Sequence, residues 1–353
     1  MRVRLRLDPE DDLLHAVEDA SNFNESRYYN VFDPTVGLGG WVRMGNRPNE
    51  GYAEMTVCLY LPAGTDGGED AVPPVAFMYK RPQISGHEAH DAGGLRFEVI
   101  EPFVEHRVAY DGKVCVLAEP RAMAEPRTAF TTNPHEPCTI DLRFRAVGRP
   151  WGGEPEWEDG DERPEIDPET SFARGHTEQH MAVTGAVTVG DRAFELTDGL
   201  GLRDHSWGPR YWQSVWWYRW LTANLGPGMG FALTVSGSQD DPDARRKHGF
   251  LYDTARYGDD RWVPIRDVDL RSDYDGEWFP REVHVTITTD DHAYEVEGDV
   301  WSTIPLRNRR EGMTTRITEG MTTWRCGDLT GAGLSEYLDQ VIDGVPVGTD
   351  VGI

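Results

Sequence analysis

Short segments in which apolar and polar residues alternate recur along almost the whole chain, and turn-forming pairs separate them. Residues 51–62, GYAEMTVCLYLP, alternate and are rich in β-formers. Residues 95–120 read as two or three strands, with a turn expected at Asp111-Gly112. Further strands are expected in CTIDLRFRAVG (138–148), MAVTGAVTVGDRAFELT (181–197), MGFALTVSG (229–237), REVHVTITTDDHAYEVEGDVWSTI (281–304) and TTRITEGMTTWRCG (314–327). Gly190-Asp191 and Asp290-Asp291 stand where hairpin turns belong. Helical spacing is scarce; DPEDDLLHAVEDA (8–20), with its acidic first turn, is the one expected helix. Short strands at regular spacing with many turns predict barrels or sandwiches. The 38 glycines and 23 prolines suit that turn-rich plan.

Two stretches break the pattern. Residues 149–170, RPWGGEPEWEDGDERPEIDPET, mix Pro, Gly and acids and predict an irregular insert. Residues 238–248, SQDDPDARRKH, predict a polar loop tip. A faint echo links Trp41-x-Arg43 with Trp217-x-Arg219, since each leads through a turn to a strand. Duplication of a barrel unit accounts for it and places a division near 200–210. The expected domains are therefore 1–203 and 204–353, and 353 residues suffice for two cores.

The formal net charge of −26 excludes nucleic acid and anionic membranes as partners, because phosphate binding needs basic patches. Lys80, Lys113 and Lys247 are the only lysines, so the basic residues are nearly all Arg. Cys58, Cys115, Cys138 and Cys326 are scattered without a C-x-x-C pair, which indicates neither zinc nor a disulfide framework. The start, MRVRLRLDPEDD, has no apolar signal region, and no stretch approaches the ~18 apolar residues of a membrane helix. A soluble, cytoplasmic protein with reduced thiols is expected.

Chemistry concentrates in RDHSWGPR (203–210) and the aromatics after it. Trp207, Trp212, Trp216, Trp217 and Trp220, five of the twelve tryptophans, fall within 203–220. They can form a packed core, or a pocket whose π-faces suit an unsaturated ligand and steady a carbocation. In a strand, Trp216, Tyr218 and Trp220 share one face, and Trp217 and Arg219 the other. Asp204 can be a corner carboxylate paired with Arg203 or Arg210, or a desolvated general acid. An extended segment puts Asp204 and Ser206 on one face and Arg203, His205 and Trp207 on the opposite one. Asp204 and His205 can then reach one pocket only if Gly208-Pro209 bends the chain. In HTEQH (176–180), His176, Glu178 and His180 share a strand face; no H-E-x-x-H is present, and no metal is expected. Glu98, Glu101 and Glu105 lie among first-half strands, Glu336-Tyr337 in a last strand, and His87 and His90 in a loop. GLGG (37–40) lacks the dinucleotide spacing, and no G-x-S-x-G, P-loop or kinase signature occurs.

GLGLRDHSWGPRYW, RYYNVFDPTVGLGGWVRMGNRPNEG and GAGLSEYL together resemble the carotenoid hydratase (hydroxyneurosporene synthase)/AttH-like superfamily over most of the chain. Asp204, His205, Trp207 and Gly208 match its Asp-His-x-Trp-Gly element. The resemblance implies an all-β protein of two tandem lipocalin-like antiparallel barrels. It also implies acid-started hydration, cyclisation or isomerisation of an isoprenoid-like alkene through a carbocation, as in hydratases and non-canonical terpene cyclases. Asp204 is then the expected catalytic acid with His205 its partner, and Glu98 or Glu101 is the rival acid. Trp41, Arg43, Glu178, His180, Trp207, Trp217, Tyr218 and Trp220 are the expected substrate-binding residues. No cofactor is needed for protonation and water capture, and the expected partner is a hydrophobic small molecule, terpenoid or lipid-like. A non-catalytic lipocalin-type carrier is the alternative.

Overall fold

The computed structural model describes residues 3–63, 72–157, 166–241, 244–259, 261–310 and 312–349. The chain divides into two compact units. One comprises Met1–Leu59, Ala76–Val116 and His135–Ser214; the other comprises Tyr60–Val75, Leu117–Pro134 and Val215–Ile353. The division expected at 203/204 falls inside a strand that belongs wholly to the first unit, so the whole RDHSWGPR segment does too.

Eight strands build the first unit's barrel: β1 (Phe23–Asp33), β2 (Leu38–Arg47), β3 (Tyr52–Tyr60), β4 (Val75–Lys80), β5 (Glu105–Leu117), β6 (His135–Ala146), β7 (Gly175–Val189) and β8 (Arg192–Pro209). They pair in chain order, and β8 returns to β1, which closes the ring and leaves no open edge. Alternation decides which side chains fill it: on β6, Cys138, Ile140, Leu142 and Phe144 are buried, whereas Thr139, Asp141, Arg143 and Arg145 are exposed. β7 pairs with β6 only from Met181 onward, and its first residues, His176–Glu178, pair instead with Trp151–Gly153 of the strand Trp151–Trp157. That strand in turn pairs with Val3–Arg6. Residues 151–157 are therefore ordered strand rather than irregular insert, while 158–165 lie outside the described residues.

Two further expectations change. Residues 8–20 form only a 3-10 turn, Pro9–Asp12. Asp12 is claimed by Arg27, His106 and Arg203 inside the barrel, Asp8 and Asp11 by Arg6, and Glu18 by Arg174, which pulls the segment away from a helix. Asp111-Gly112 is no turn, because β5 runs straight through it in register with β6.

The second unit uses β9 (Trp217–Asn224), β10 (Met229–Gly237), β11 (Arg245–Asp253), β12 (Asp267–Tyr274), β13 (Pro280–Thr288), β14 (Ala293–Arg310), β15 (Met313–Cys326) and β16 (Leu329–Ile342). Their order is β11–β10–β9–β16–β15–β14–β13–β12. The sheet curls until its ends approach: Lys247 on β11 pairs with Asp267 on β12 at 2.9 Å, and the Ile265 amide donates to the Gly249 carbonyl at 3.0 Å. Its concave side holds an apolar core that includes Trp217, Leu221, Phe231, Leu233, Val285 and Trp324. A Cβ at Gly298 would stand 2.5 Å from the Trp324 ring, so the glycine makes that indole fit. The protein is all-β, with two tandem lipocalin-like antiparallel units, the first a closed barrel and the second a curled sheet. Among the described residues no helix is long and apolar enough to cross a membrane.

Candidate functional site

Strand β8 sends its chemistry in two directions. Opposite β1, Arg203 pairs with Tyr29, His205 with Arg27 and Trp207 with Glu25; the alternate residues Asp204 and Ser206 pair with Tyr28 and Ser26. On β7 the same split sets Gln179 and Thr177 against Glu178 and His176. Tyr29 identifies the inward side. Its ring packs on Phe144 of β6, and its hydroxyl lies 2.7 Å from His106 Nδ1 of β5, across the barrel. Asp204 and His205 therefore do not pair. Gly208 takes a φ of +108°, but the strand stays paired in register through Pro209, and Asp204 and His205 keep to opposite faces.

The barrel interior is polar at this end. Asp12, fully buried, accepts from Arg203 Nη1 (2.9 Å), Arg27 Nη1 (3.3 Å) and the Phe103 amide (2.5 Å), and meets His106 Nε2 at 2.9 Å. Burial alone would neutralise it, but Arg203, His106 and Arg27 hold its carboxyl far below the usual range. Glu25, also fully buried, meets His205 Nε2 at 2.8 Å, His87 Nε2 at 2.8 Å and His15 Nδ1 at 3.1 Å. Burial and the nearby Arg27 push His205 down to about 4, and the same pair of effects puts His90 at about 3. Both imidazoles are thus neutral. Trp207 stacks on His15 with ring centroids 4.0 Å apart, so it covers this histidine cluster instead of walling an apolar cavity. His87 and His90, expected in a loop, both face Glu25: His90 Nε2 sits 3.1 Å from its carbonyl.

The outward side carries a different set. His176 Nε2 forms a short ion pair with Asp204 Oδ2. Glu178, directly opposite Asp204 on the ladder, brings a second carboxylate, and one ligand atom from each of the three lies within 4.8 Å of the others. Burial works against the charged imidazole, but Asp204 and then Glu178 raise His176 to about 9. Asp204 is likewise opposed by burial and still lies below its ordinary value, because His176 and Arg210 favour its charge. Asp204 is accordingly a carboxylate at neutral pH, and the group that holds a proton there is His176. The His176 side chain is 38% exposed, whereas Glu178 and His180 are buried.

Aromatics and guanidiniums frame this pair. Tyr28 stacks on Trp41 at 5.7 Å, and both share the face of Asp204. Ser26 and Ser206 hydroxyls meet at 3.0 Å, and Arg210 donates to Ser206. Arg210 lies over Phe172 (4.3 Å) and Trp212 (5.2 Å), and Arg43 over Trp212 (5.4 Å) while facing Glu54 at 3.5 Å. Of the residues singled out from sequence, Asp204, Glu178, His180, Trp41 and Arg43 therefore fall on one face of the first barrel, and His205 and Trp207 on the other.

The remaining three belong to the second unit. Trp217 is core, packed with Arg219 at 5.3 Å. Tyr218 and Trp220 turn to the other face, where the Tyr218 hydroxyl donates to Glu336 and Trp220 pairs with Glu336 along the ladder. Glu98 is half-buried and bound to Arg96 (3.3 Å) and Arg107 (3.5 Å), and Glu101 is exposed, so neither is a desolvated acid. Asp12, His15, Glu25, Arg27 and His106 escaped the sequence reading. The signal for two of them was present in NESRYY, where Glu25 and Arg27 alternate with Tyr29 on the parity that faces inward.

Residues 8–341 match the model of a domain of unknown function, DUF7064, and the chain belongs to that family. None of the curated protein sequences matches it. Among solved structures it resembles an AttH-like protein from Nitrosomonas europaea, with TM-score 0.52 and 14% identity over 96% of this chain and 98% of that one. It also resembles kievitone hydratase from Nectria haematococca, with TM-score 0.52 and 9% identity over 92% and 90%. A third similar structure is CghA with Sch210972, with TM-score 0.50 and 13% identity over 90% and 89%. These likenesses bear out the fold that the resemblance implies, two tandem lipocalin-like units.

Proposed function

We propose that this DUF7064 protein catalyses acid–base hydration or cyclisation of a hydrophobic, isoprenoid-like alkene on the outward face of its first barrel. The observation that carries the reading is the His176–Asp204 ion pair, partly exposed and set opposite Glu178 beside the stacked Tyr28–Trp41 rings. His176 donates its proton to one alkene carbon, and the electron pair of the double bond forms the new C–H bond. The carbocation left on the other carbon is steadied by the π-faces of Tyr28, Trp41 and Trp212. In hydration, water adds to that carbon, and Glu178 accepts the proton the water sheds. In cyclisation a second double bond attacks the cation instead, forming a C–C bond and a new cation that loses a neighbouring proton to Glu178, and in isomerisation a proton next to the first cation leaves to Glu178.

Asp204 keeps His176 protonated and aimed, and reaches the substrate only through it. An imidazolium held near 9 is a modest acid, which favours electron-rich double bonds that give tertiary or allylic cations. The fold shared with a protein named kievitone hydratase fits this class of reaction. Carriage of a lipid inside the first barrel is disfavoured, because an apolar chain there would displace the buried Asp12 and Glu25 networks.

The test is a panel of prenylated and terpenoid alkenes incubated with the protein in heavy-oxygen water and in D2O, followed by mass spectrometry. The reading expects a product heavier by one labelled water, or an isomer carrying solvent deuterium. An alkene that binds and is recovered unchanged and unlabelled would support the carrier reading instead.

A further inference from the structure

The interior histidine cluster is not used by the proposed reaction, and its geometry has its own meaning. His15, Glu25 and His205 come from the N-terminal segment, β1 and β8, and their ligand atoms lie within 4.8 Å of one another. His205 Nε2 and His15 Nδ1 stand 2.8 and 3.1 Å from the same carboxylate oxygen, Glu25 Oε1. Two donors each about 2.1 Å from a zinc ion, at angles between about 90° and 109°, are about 3.0–3.4 Å apart. The two histidine–carboxylate spacings fall close to that range, and all three ligand atoms lie within 4.8 Å of one another.

The surroundings support that use. Glu25 Oε2 is bound by His87 Nε2 at 2.8 Å and by the His15 amide at 3.0 Å, so the carboxylate is oriented from its far side. Asn46 Nδ2, 3.3 Å from His87 Nδ1, donates to that ring and leaves Nε2–H for Glu25. Trp207 stacks on His15 and fixes its plane. Among the described residues, no guanidinium or ammonium lies within ion-pair distance of Glu25, although its side chain is fully buried. The groups in direct contact with the carboxylate are imidazoles and one backbone amide, with Arg27 acting on it only at longer range, and a bound divalent cation would give it a direct countercharge.

We infer that His15, Glu25 and His205 form a binding site for one divalent transition-metal ion. Two imidazoles and a carboxylate suit Zn2+, Co2+ or Fe2+ rather than Mg2+ or Ca2+. The ion ties the N-terminal segment to β1 and β8, behind the strand that carries Asp204.

The test uses the full-length protein, stripped with a chelator and then titrated with Co2+. One Co2+ per chain is expected, with visible d–d absorption that Zn2+ abolishes, and a rise of several degrees in Tm on loading. X-ray absorption of the zinc-loaded wild type should show two imidazole ligands. His15→Gln and His205→Gln should lose the bound ion, and His87→Gln should weaken it about 10- to 100-fold. Absence of stoichiometric binding by the wild type, retention of full affinity by His15→Gln, or an absorption spectrum without imidazole scattering would overturn the site. The last readout needs no variant to fold.

Discussion

Replacing Asp12 by Asn tests whether the polar filling of the first barrel is held by paired charge. The carboxylate is fully buried and stands between Arg203 at 2.9 Å and Arg27 at 3.3 Å. An amide of the same shape keeps the volume but removes the charge, and leaves two buried guanidiniums facing a group that is itself partly a donor. Breaking a buried pair from one side costs about 3–5 kcal/mol. For a unit of this size each kcal/mol moves Tm by about 2–4 °C, so a fall of about 6–20 °C is expected by calorimetry. The control is Asp141→Asn. Asp141 pairs with Arg107 at a similar 2.8 Å, but their side chains are 59% and 37% exposed, and the cost should stay below about 1 kcal/mol. The carboxyl of Asp12 is depressed in the fold, so its contribution is present above the unfolded value near ~3.9 and fades as pH falls below it. The D12N deficit should therefore hold between about pH 5 and about pH 8 and shrink in acid. A D12N protein that melts with D141N would refute the reasoning.

Other outcomes follow from single positions. His176 is raised to about 9, so its favourable contribution is complete below about 6.5 and is lost as pH climbs through about 9; urea titrations across that window should find wild type losing stability that His176→Gln never had. Gly201→Ala puts a Cβ 1.8 Å from the Asn30 carbonyl, which forces β8 and β1 apart and should leave little folded protein on a gel-filtration column. Trp217→Ala removes an indole from the second unit's core and should cost about 3–5 kcal/mol in thermal melts, without removing any residue of the His176 face.

The barrels were legible because closure needs only alternation and turns, and both are written locally. Gly190-Asp191 and Asp290-Asp291 do turn between the strands they separate. Asp111-Gly112 misled because the same two residue types can be carried along a strand when neighbours on both sides pair with it. The 8–20 segment misled for a tertiary reason: its acidic spacing fits a helix, but Asp11 and Asp12 bind Arg6, Arg27 and Arg203 from other strands. Period two also separated Asp204 from His205, as the strand pattern demands. What it does not say is which parity faces inward. That depends on Tyr29 reaching β5 and β6 across the barrel, a contact between residues far apart in the chain. His15, Glu25 and His87 meet for the same reason, and no local motif announces them.

The central claim is that catalysis runs through the His176–Asp204 pair on the outward face. The direct measurement is turnover of an accepted alkene by His176→Gln and Asp204→Asn, each first shown to melt as a folded protein. Loss of a positioned general acid is expected to lower kcat about 100- to 10,000-fold in His176→Gln, with a comparable direction of change in Asp204→Asn and little change in KM. Turnover at the wild-type rate by either folded variant would contradict the account.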